Sequence, residues 1–255
     1  MKTLLASVAI LIAATLPAIA DDMAYMTTNV DEFGTLDLNT GVFSLLGNSG
    51  TTLGGLGVFG GTLYGATNEG SEIFTVNPAN GSLTPVGNSG IADIFSFGST
   101  VSGLFAFAGD GNLYSINPVT GAGTLIGATG VTAAGFTSLS TNSSTLYLEG
   151  EGNLYTVNTS TGAASLVGPL SGGTTTLGGM VLESGTLYGG QIQPSHNVDS
   201  VNQSTGAATQ GPAITGTSAD VFGLAPDPLP IPEPSTLGLF ATGLLLARSL
   251  IARRR

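Results

Sequence analysis

The chain has 255 residues, 40 of them glycine, with only 8% charged residues, no cysteine and no tryptophan, and a formal net charge of −11. All five basic residues lie at the ends (Lys2, Arg248, Arg253, Arg254 and Arg255), so from Asp21 to Ile231 fifteen carboxylates face no Lys or Arg. Such a body cannot neutralise phosphates, which excludes nucleic acid as a partner, and it lacks the usual parts for phosphoryl transfer, Schiff-base and thiolate chemistry.

Residues 1–20 carry Lys2, an apolar run from Leu4 to Ala14 and then Ala18-Ile19-Ala20. A charged start, a short apolar core and small residues at Ala18 and Ala20 make a signal peptide, with cleavage expected after Ala20. A buried helix of the mature protein is the other reading, and it leaves the order of those three parts unexplained.

Residues 21–228 repeat. Related stretches run Gly34–Gly47, Glu72–Gly87, Gly111–Gly127, Gly152–Gly168 and, degraded, Asn197–Gly211; their turn glycines Gly41, Gly81, Gly121, Gly162 and Gly206 recur at 40, 40, 41 and 44 residues. Each unit opens on a short apolar strand: Ala24-Tyr25, Leu63-Tyr64, Leu104-Phe105, Leu146-Tyr147 or Leu187-Tyr188. A second strand alternates apolar and polar residues, the mark of a half-buried strand. It ends at Asn39, Asn77, Asn117, Asn158 or Asn202. Turns of the type Asn117-Pro118-x-x-Gly121 then reverse the chain, proline fixing φ and glycine supplying a positive φ. A third strand ends in Gly47, Gly87, Gly127 or Gly168. A fourth carries Val58-Phe59, Ile94-Phe95, Phe136, Met180-Val181 or Val221-Phe222.

Four strands per unit of about 40–45 residues is the pattern of an all-β propeller. The expectation is a β-propeller of about five four-stranded blades, spanning approximately 24–62, 63–103, 104–145, 146–186 and 187–228. Each blade is expected to hold its own four strands in order, with none exchanged between the termini. The tyrosines all fall on first or second strands, so they are expected to pack between blades. A β-solenoid also suits Gly-rich, Thr-rich repeats, but its coils are usually shorter. The units resemble the loose surface-propeller repeats of exported bacterial proteins, of the Leu-Tyr-x-x-Asn-Pro-x-Thr-Gly type.

Residues 229–255 form the third segment: a Pro-rich spacer, an apolar run Thr236–Ala247 and the terminal Arg253-Arg254-Arg255. Pro232-Glu233-Pro234, the apolar segment and the Arg cluster resemble the PEP-CTERM sorting signal. That resemblance implies an exported protein of a Gram-negative bacterium and an exosortase-type processing enzyme as partner. It also implies a hydrophobic sorting helix held transiently in the inner membrane before display on the cell surface or in the extracellular matrix. The positive-inside rule agrees, leaving the propeller outside. Arg248 interrupts the apolar run, and a full span needs about 20 residues, so a transient anchor fits better than a permanent one.

Catalytic residues do not stand out. His196 is the sole histidine, in a polar turn where exposure to solvent is expected, and its neighbours Ser195 and Asp199 do not make a triad by adjacency. Gly109-Asp110-Gly111-Asn112 and Gly150-Glu151-Gly152-Asn153 resemble fragments of Ca²⁺ loops without the full ligand pattern. On the repeat alignment one rim collects Asp31, Glu32, Glu69, Glu72, Asp93, Asp110, Glu149, Glu151 and Asp220. Glu32, Glu72, Asp110 and Glu151 are the candidate ligands there, and Ca²⁺ is the cofactor they would suit; the alternative is a solvated acidic rim. The functional expectation is a non-enzymatic surface or matrix protein, a binding or structural module linked to exopolysaccharide. The alternative is an exported propeller enzyme acting on polysaccharide through paired carboxylates, of which no pair is evident.

Overall fold

The computed structural model describes residues 22–133, 137–174, 176–192 and 194–227. The expected signal peptide, Phe136 and the expected sorting helix lie outside them. Every regular element among the described residues is a β-strand. None of the described residues forms a helix long and apolar enough to cross a membrane.

The strands fall into antiparallel groups of four. One group comprises β1 (Met23–Thr28), β2 (Glu32–Asp37) and β3 (Phe43–Asn48), flanked on the β1 side by β20 (Val221–Pro226). The next is β4 (Leu53–Phe59), β5 (Thr62–Thr67), β6 (Glu72–Val76) and β7 (Leu83–Asn88). The third is β8 (Ile94–Thr100), β9 (Gly103–Ala108), β10 (Asn112–Ile116) and β11 (Gly123–Ala128). The fourth is β12 (Ser138–Thr141), β13 (Leu146–Gly150), β14 (Asn153–Val157) and β15 (Ala164–Pro169). The last is β16 (Leu177–Glu183), β17 (Thr186–Gln191), β18 (Val198–Val201) and the two-residue β19 (Ala208–Thr209). Inner strands of neighbouring groups meet in parallel, Gly55 opposite Phe97 and Ser140 opposite Met180. The inner strands β4, β8, β12, β16 and β20 each neighbour the next, and β20 neighbours β4, so the series closes on itself. The fold is all-β and propeller-like.

Two expectations are corrected. The strand read as the last of each unit is the first of the next, so the boundaries near 62, 103, 145 and 186 fall inside hairpins. Two-residue turns decide this: Gly60-Gly61 (φ +58° and +77°) joins β4 to β5, and Ser184-Gly185 (+49° and +83°) joins β16 to β17. Turns this short with positive φ bind the two strands as antiparallel neighbours. A strand is therefore exchanged between the termini. β20 pairs antiparallel with β1, Leu224 opposite Met26 and Ala225 opposite Tyr25, and completes the first group from the far end of the described chain.

The repeated turns form as expected. Gly41, Gly81, Gly121, Gly162 and Gly206 have φ between +74° and +83°. Asn117 Oδ1 accepts from Val119 N at 2.8 Å and Thr120 N at 3.1 Å, and Gly121 N donates to Asn117 O at 2.9 Å. In the first unit this role belongs to Asp37 rather than Asn39: Asp37 Oδ1 accepts from Asn39 N and Thr40 N, and Asp37 O from Gly41 N. A carboxylate caps such a turn as well as an amide does, and the alignment there slips by two residues.

Packing is between groups. Five apolar clusters occupy the five seams, for example Tyr25, Phe33, Leu53, Leu56 and Val76 between the first and second groups. Ala24, Leu36, Phe43, Val181 and Leu224 fill the seam between the last group and the first. Tyrosines sit in these seams: Tyr25 stacks on Phe33 with centroids 5.3 Å apart, Tyr147 Oη donates to Gln203 Oε1 at 3.2 Å, and Tyr188 Oη to Asp22 Oδ2 at 3.2 Å. The strand-ending glycines lie against the next group's turn. A Cβ on Gly47, Gly87, Gly127 or Gly168 would overlap the carbonyl oxygen of Asn80, Thr120, Thr161 or Thr205.

Candidate functional site

The second residue of each inner strand, or the residue just before the shorter β12, occupies an equivalent place: Gly54, Phe95, Thr137, Gly178 and Phe222. Together with Asn68 and Glu69 these line a cup of about 370 Å³ at the mouth of the ring. Four of the five are left out of the ladder by a register shift: between Leu53 and Gly55, Ile94 and Ser96, and Leu177 and Gly179, and at β20 where Gly223 and Val221 pair consecutive residues of β1. A β-bulge re-aims one side chain out of the alternation, and bulges gather at the rims of closed sheets for that reason.

The floor is made by the next residues along. Gly55, Ser96, Ser138, Gly179 and Gly223 are all small. A Cβ on Gly223 would lie 2.9 Å from Gly55 Cα, and one on Gly179 2.7 Å from Leu224 N. Ser96 Oγ accepts from Leu139 N at 2.6 Å, and Thr141 Oγ1 donates to Leu224 O at 3.0 Å, binding β12 to β20. The inner strands approach so closely below the mouth that it ends as a cup.

The Asn68–Gly70 loop is stitched to Thr52, just before β4, and to the first residue of β8. Asn68 N donates to Thr52 O at 2.9 Å, Glu69 N to Ile94 O at 3.0 Å, and Ile94 N to Gly70 O at 3.0 Å. Gly54 gives the loop its seat, since a Cβ there would meet Asn68 Oδ1 at 3.0 Å. Glu69 is held at φ +50°, a conformation costly for a residue with a Cβ. Among the described residues it is the one charged residue lining the cup.

The nine rim acids lie in or beside the loops β1–β2, β5–β6, β7–β8, β9–β10, β13–β14 and β19–β20. In an antiparallel group whose chain continues into the next inner strand, these loops emerge at one end. Among the described residues no three of His, Asp and Glu come together as a metal cluster. Glu32, Glu72, Asp110 and Glu151 thus stand on separate loops. Glu32 accepts from Thr217 Oγ1 at 2.6 Å. Asp110 accepts from Tyr114 Oη and Asn112 Nδ2, each at 2.7 Å. Partial burial pushes the Asp110 carboxyl up, but these hydrogen bonds outweigh it and hold it below the usual range.

Two polar residues are buried against expectation. His196 is 8% exposed rather than solvent-facing, because its ring nitrogen Nε2 pairs with Ala219 O at 2.8 Å, tying the β17–β18 loop to the β19–β20 loop. Glu149, at the end of β13, is fully buried. Burial pushes its carboxyl up to about 8, against hydrogen bonds from Leu177 N at 3.5 Å and Gly152 N at 3.2 Å. Sequence reasoning placed Glu69 on the rim without singling it out. It read Phe95 and Phe222 as ordinary strand residues, since a bulge has no signal in the apolar alternation.

The chain carries a PEP-CTERM protein-sorting motif at residues 230–255. No curated protein matches the sequence. Two solved structures are similar in fold. One is a structural genomics protein of unknown function from Bacteroides thetaiotaomicron, 15% identical with TM-score 0.53, covering 76% of this chain and 56% of that one. The chain thus spans little more than half of that protein's length. The other is a chain of a nidogen/laminin complex, 8% identical with TM-score 0.54, covering 80% of this chain and 97% of that one. The shared fold is of the β-propeller type.

Proposed function

We propose that the chain is an exported surface protein whose five strand groups are the blades of a propeller closed by β20, and that it binds extracellular polysaccharide rather than catalysing a reaction. The sorting motif at residues 230–255 carries this reading. It implies export, transient anchoring in the inner membrane, and an exosortase-type enzyme as processing partner. The all-β ring supports a binding module, because the cup offers aromatic faces and hydrogen-bonding groups on a rigid scaffold, the usual composition of a small-molecule site.

The test is retention of the exported protein on immobilised extracellular polysaccharide from the producing cells, followed by assay for new reducing ends. Retention without new ends is expected. Failure to bind overturns the module, and new reducing ends favour the carboxylate-dependent enzyme.

A further inference from the structure

The cup is chemically one-sided. Phe95 and Phe222 belong to the inner strands on either side of β4, where Gly54 contributes no side chain. Above that gap sit Asn68 and Glu69. Among the described residues the lining therefore holds two aromatic side chains, an amide and one carboxylate, and the Glu69 backbone is bonded to β8 and held at positive φ. No Lys or Arg occurs between Asp21 and Ile231 to neutralise Glu69, and eight further acids lie along the same end of the ring. A neutral ligand would use the aromatic faces and leave the charge idle. An anionic one would be repelled. A ligand that uses all of it carries a cation beside an apolar face, because aromatic faces attract cations and a carboxylate pairs with an ammonium through a charge-assisted hydrogen bond. A volume of about 370 Å³ is at the small end of ligand sites, the scale of one or two sugar rings.

We propose that the cup takes an amino sugar bearing a free ammonium group, its charge at Glu69 and its apolar ring face on Phe95 or Phe222. This deepens the polysaccharide-binding reading and rests on it. Asn68 is placed to exchange hydrogen bonds with a hydroxyl, and the shallow floor admits a chain end or a single residue of a chain, not a threaded strand.

The experiment is calorimetric titration of the exported protein with a glucosamine tetramer, its fully N-acetylated counterpart, a neutral glucose tetramer and a simple alkyl diamine. All are run at one ionic strength and mildly acidic pH. The glucosamine tetramer is expected to bind, the acetylated and neutral tetramers at least about tenfold more weakly, since a charge-assisted hydrogen bond is lost. Glu69→Gln is expected to weaken glucosamine binding by about tenfold or more. Glu72→Gln, which removes one charge from the same rim outside the cup, is expected to leave it within about twofold, as a screened surface charge should. Both residues are exposed, so both variants should fold, which unchanged melting temperatures would verify. Equal binding of all three tetramers overturns the ammonium assignment and leaves polysaccharide binding standing. Binding of the diamine alone, or no binding at all, overturns the amino-sugar assignment, while retention on the cells' own polysaccharide decides the wider reading separately. Equal losses from Glu69→Gln and Glu72→Gln reduce the effect to the rim's general field and overturn the cup as its seat.

Discussion

Replacing Gly121 by alanine tests whether neighbouring groups interlock through their turns. Gly121 has φ +74°, and a Cβ there would lie 2.9 Å from the carbonyl carbon and oxygen of Gly87 and 3.0 Å from its Cα. Those atoms are backbone and cannot swing aside. Gly130 offers the matched control: its φ is +77°, but nothing lies within 4 Å of an added Cβ. This alters the expectation from the repeat alone, in which only the turn glycine was assigned a positive φ. Left-handed backbone costs an L-residue about 1–2 kcal/mol at either position. Forcing apart a packed contact adds about 1–3 kcal/mol at Gly121 only. Gly130→Ala should therefore cost about 1–2 kcal/mol and Gly121→Ala about 2–5 kcal/mol. With a urea dependence of roughly 1–3 kcal/mol per molar, the midpoint for Gly121→Ala should fall on the order of 1 M below that for Gly130→Ala. Coincident midpoints would mean that the Gly87 edge does not rest on the Gly121 turn, and the seam geometry would be wrong.

Other perturbations address the buried carboxyl and the closure of the ring. Glu149 has a folded pKa of about 8, above its ordinary value of 4.5. The native state thus keeps a proton that the unfolded chain has lost, and Glu149's contribution to stability should fall as pH rises from about 4.5 to about 8 and level off above. Glu149→Gln should flatten that part of the stability–pH curve in denaturant titrations, and an unchanged curve would show that Glu149 is ionised in the fold. Gly223→Val should destabilise by about 1–3 kcal/mol, because its Cβ would lie 2.9 Å from Gly55 Cα and Leu56 N. A neutral result in a thermal melt would place β20 away from the axis.

The period of the repeat was legible because its turns are chemically distinctive: Asn117 and Gly121 each do something few other residues do. Asp37 shows the limit, since a carboxylate caps the same turn and shifted the first unit's register by two. Where a unit begins was harder to read. A cyclic series of antiparallel strands looks the same whichever strand is counted first, and only the glycine pair at Gly60-Gly61 marks β4 and β5 as one hairpin. The exchange of β20 follows from that hairpin. Phe95 and Phe222 escaped notice as site residues because bulges move them out of the alternation, and a bulge depends on how two strands pair. His196 and Glu149 are polar by type and buried by neighbours far along the chain, which residue-level polarity does not anticipate.

The central claim, that this propeller is displayed outside the cell by a processed tail, is tested most directly by the intact mass of the surface-exposed protein. The account predicts a C-terminus near Pro232–Ser235, without Arg253, Arg254 and Arg255. Recovery from the cell surface of a protein ending in an intact Arg255 would contradict it and make the tail a plain membrane anchor.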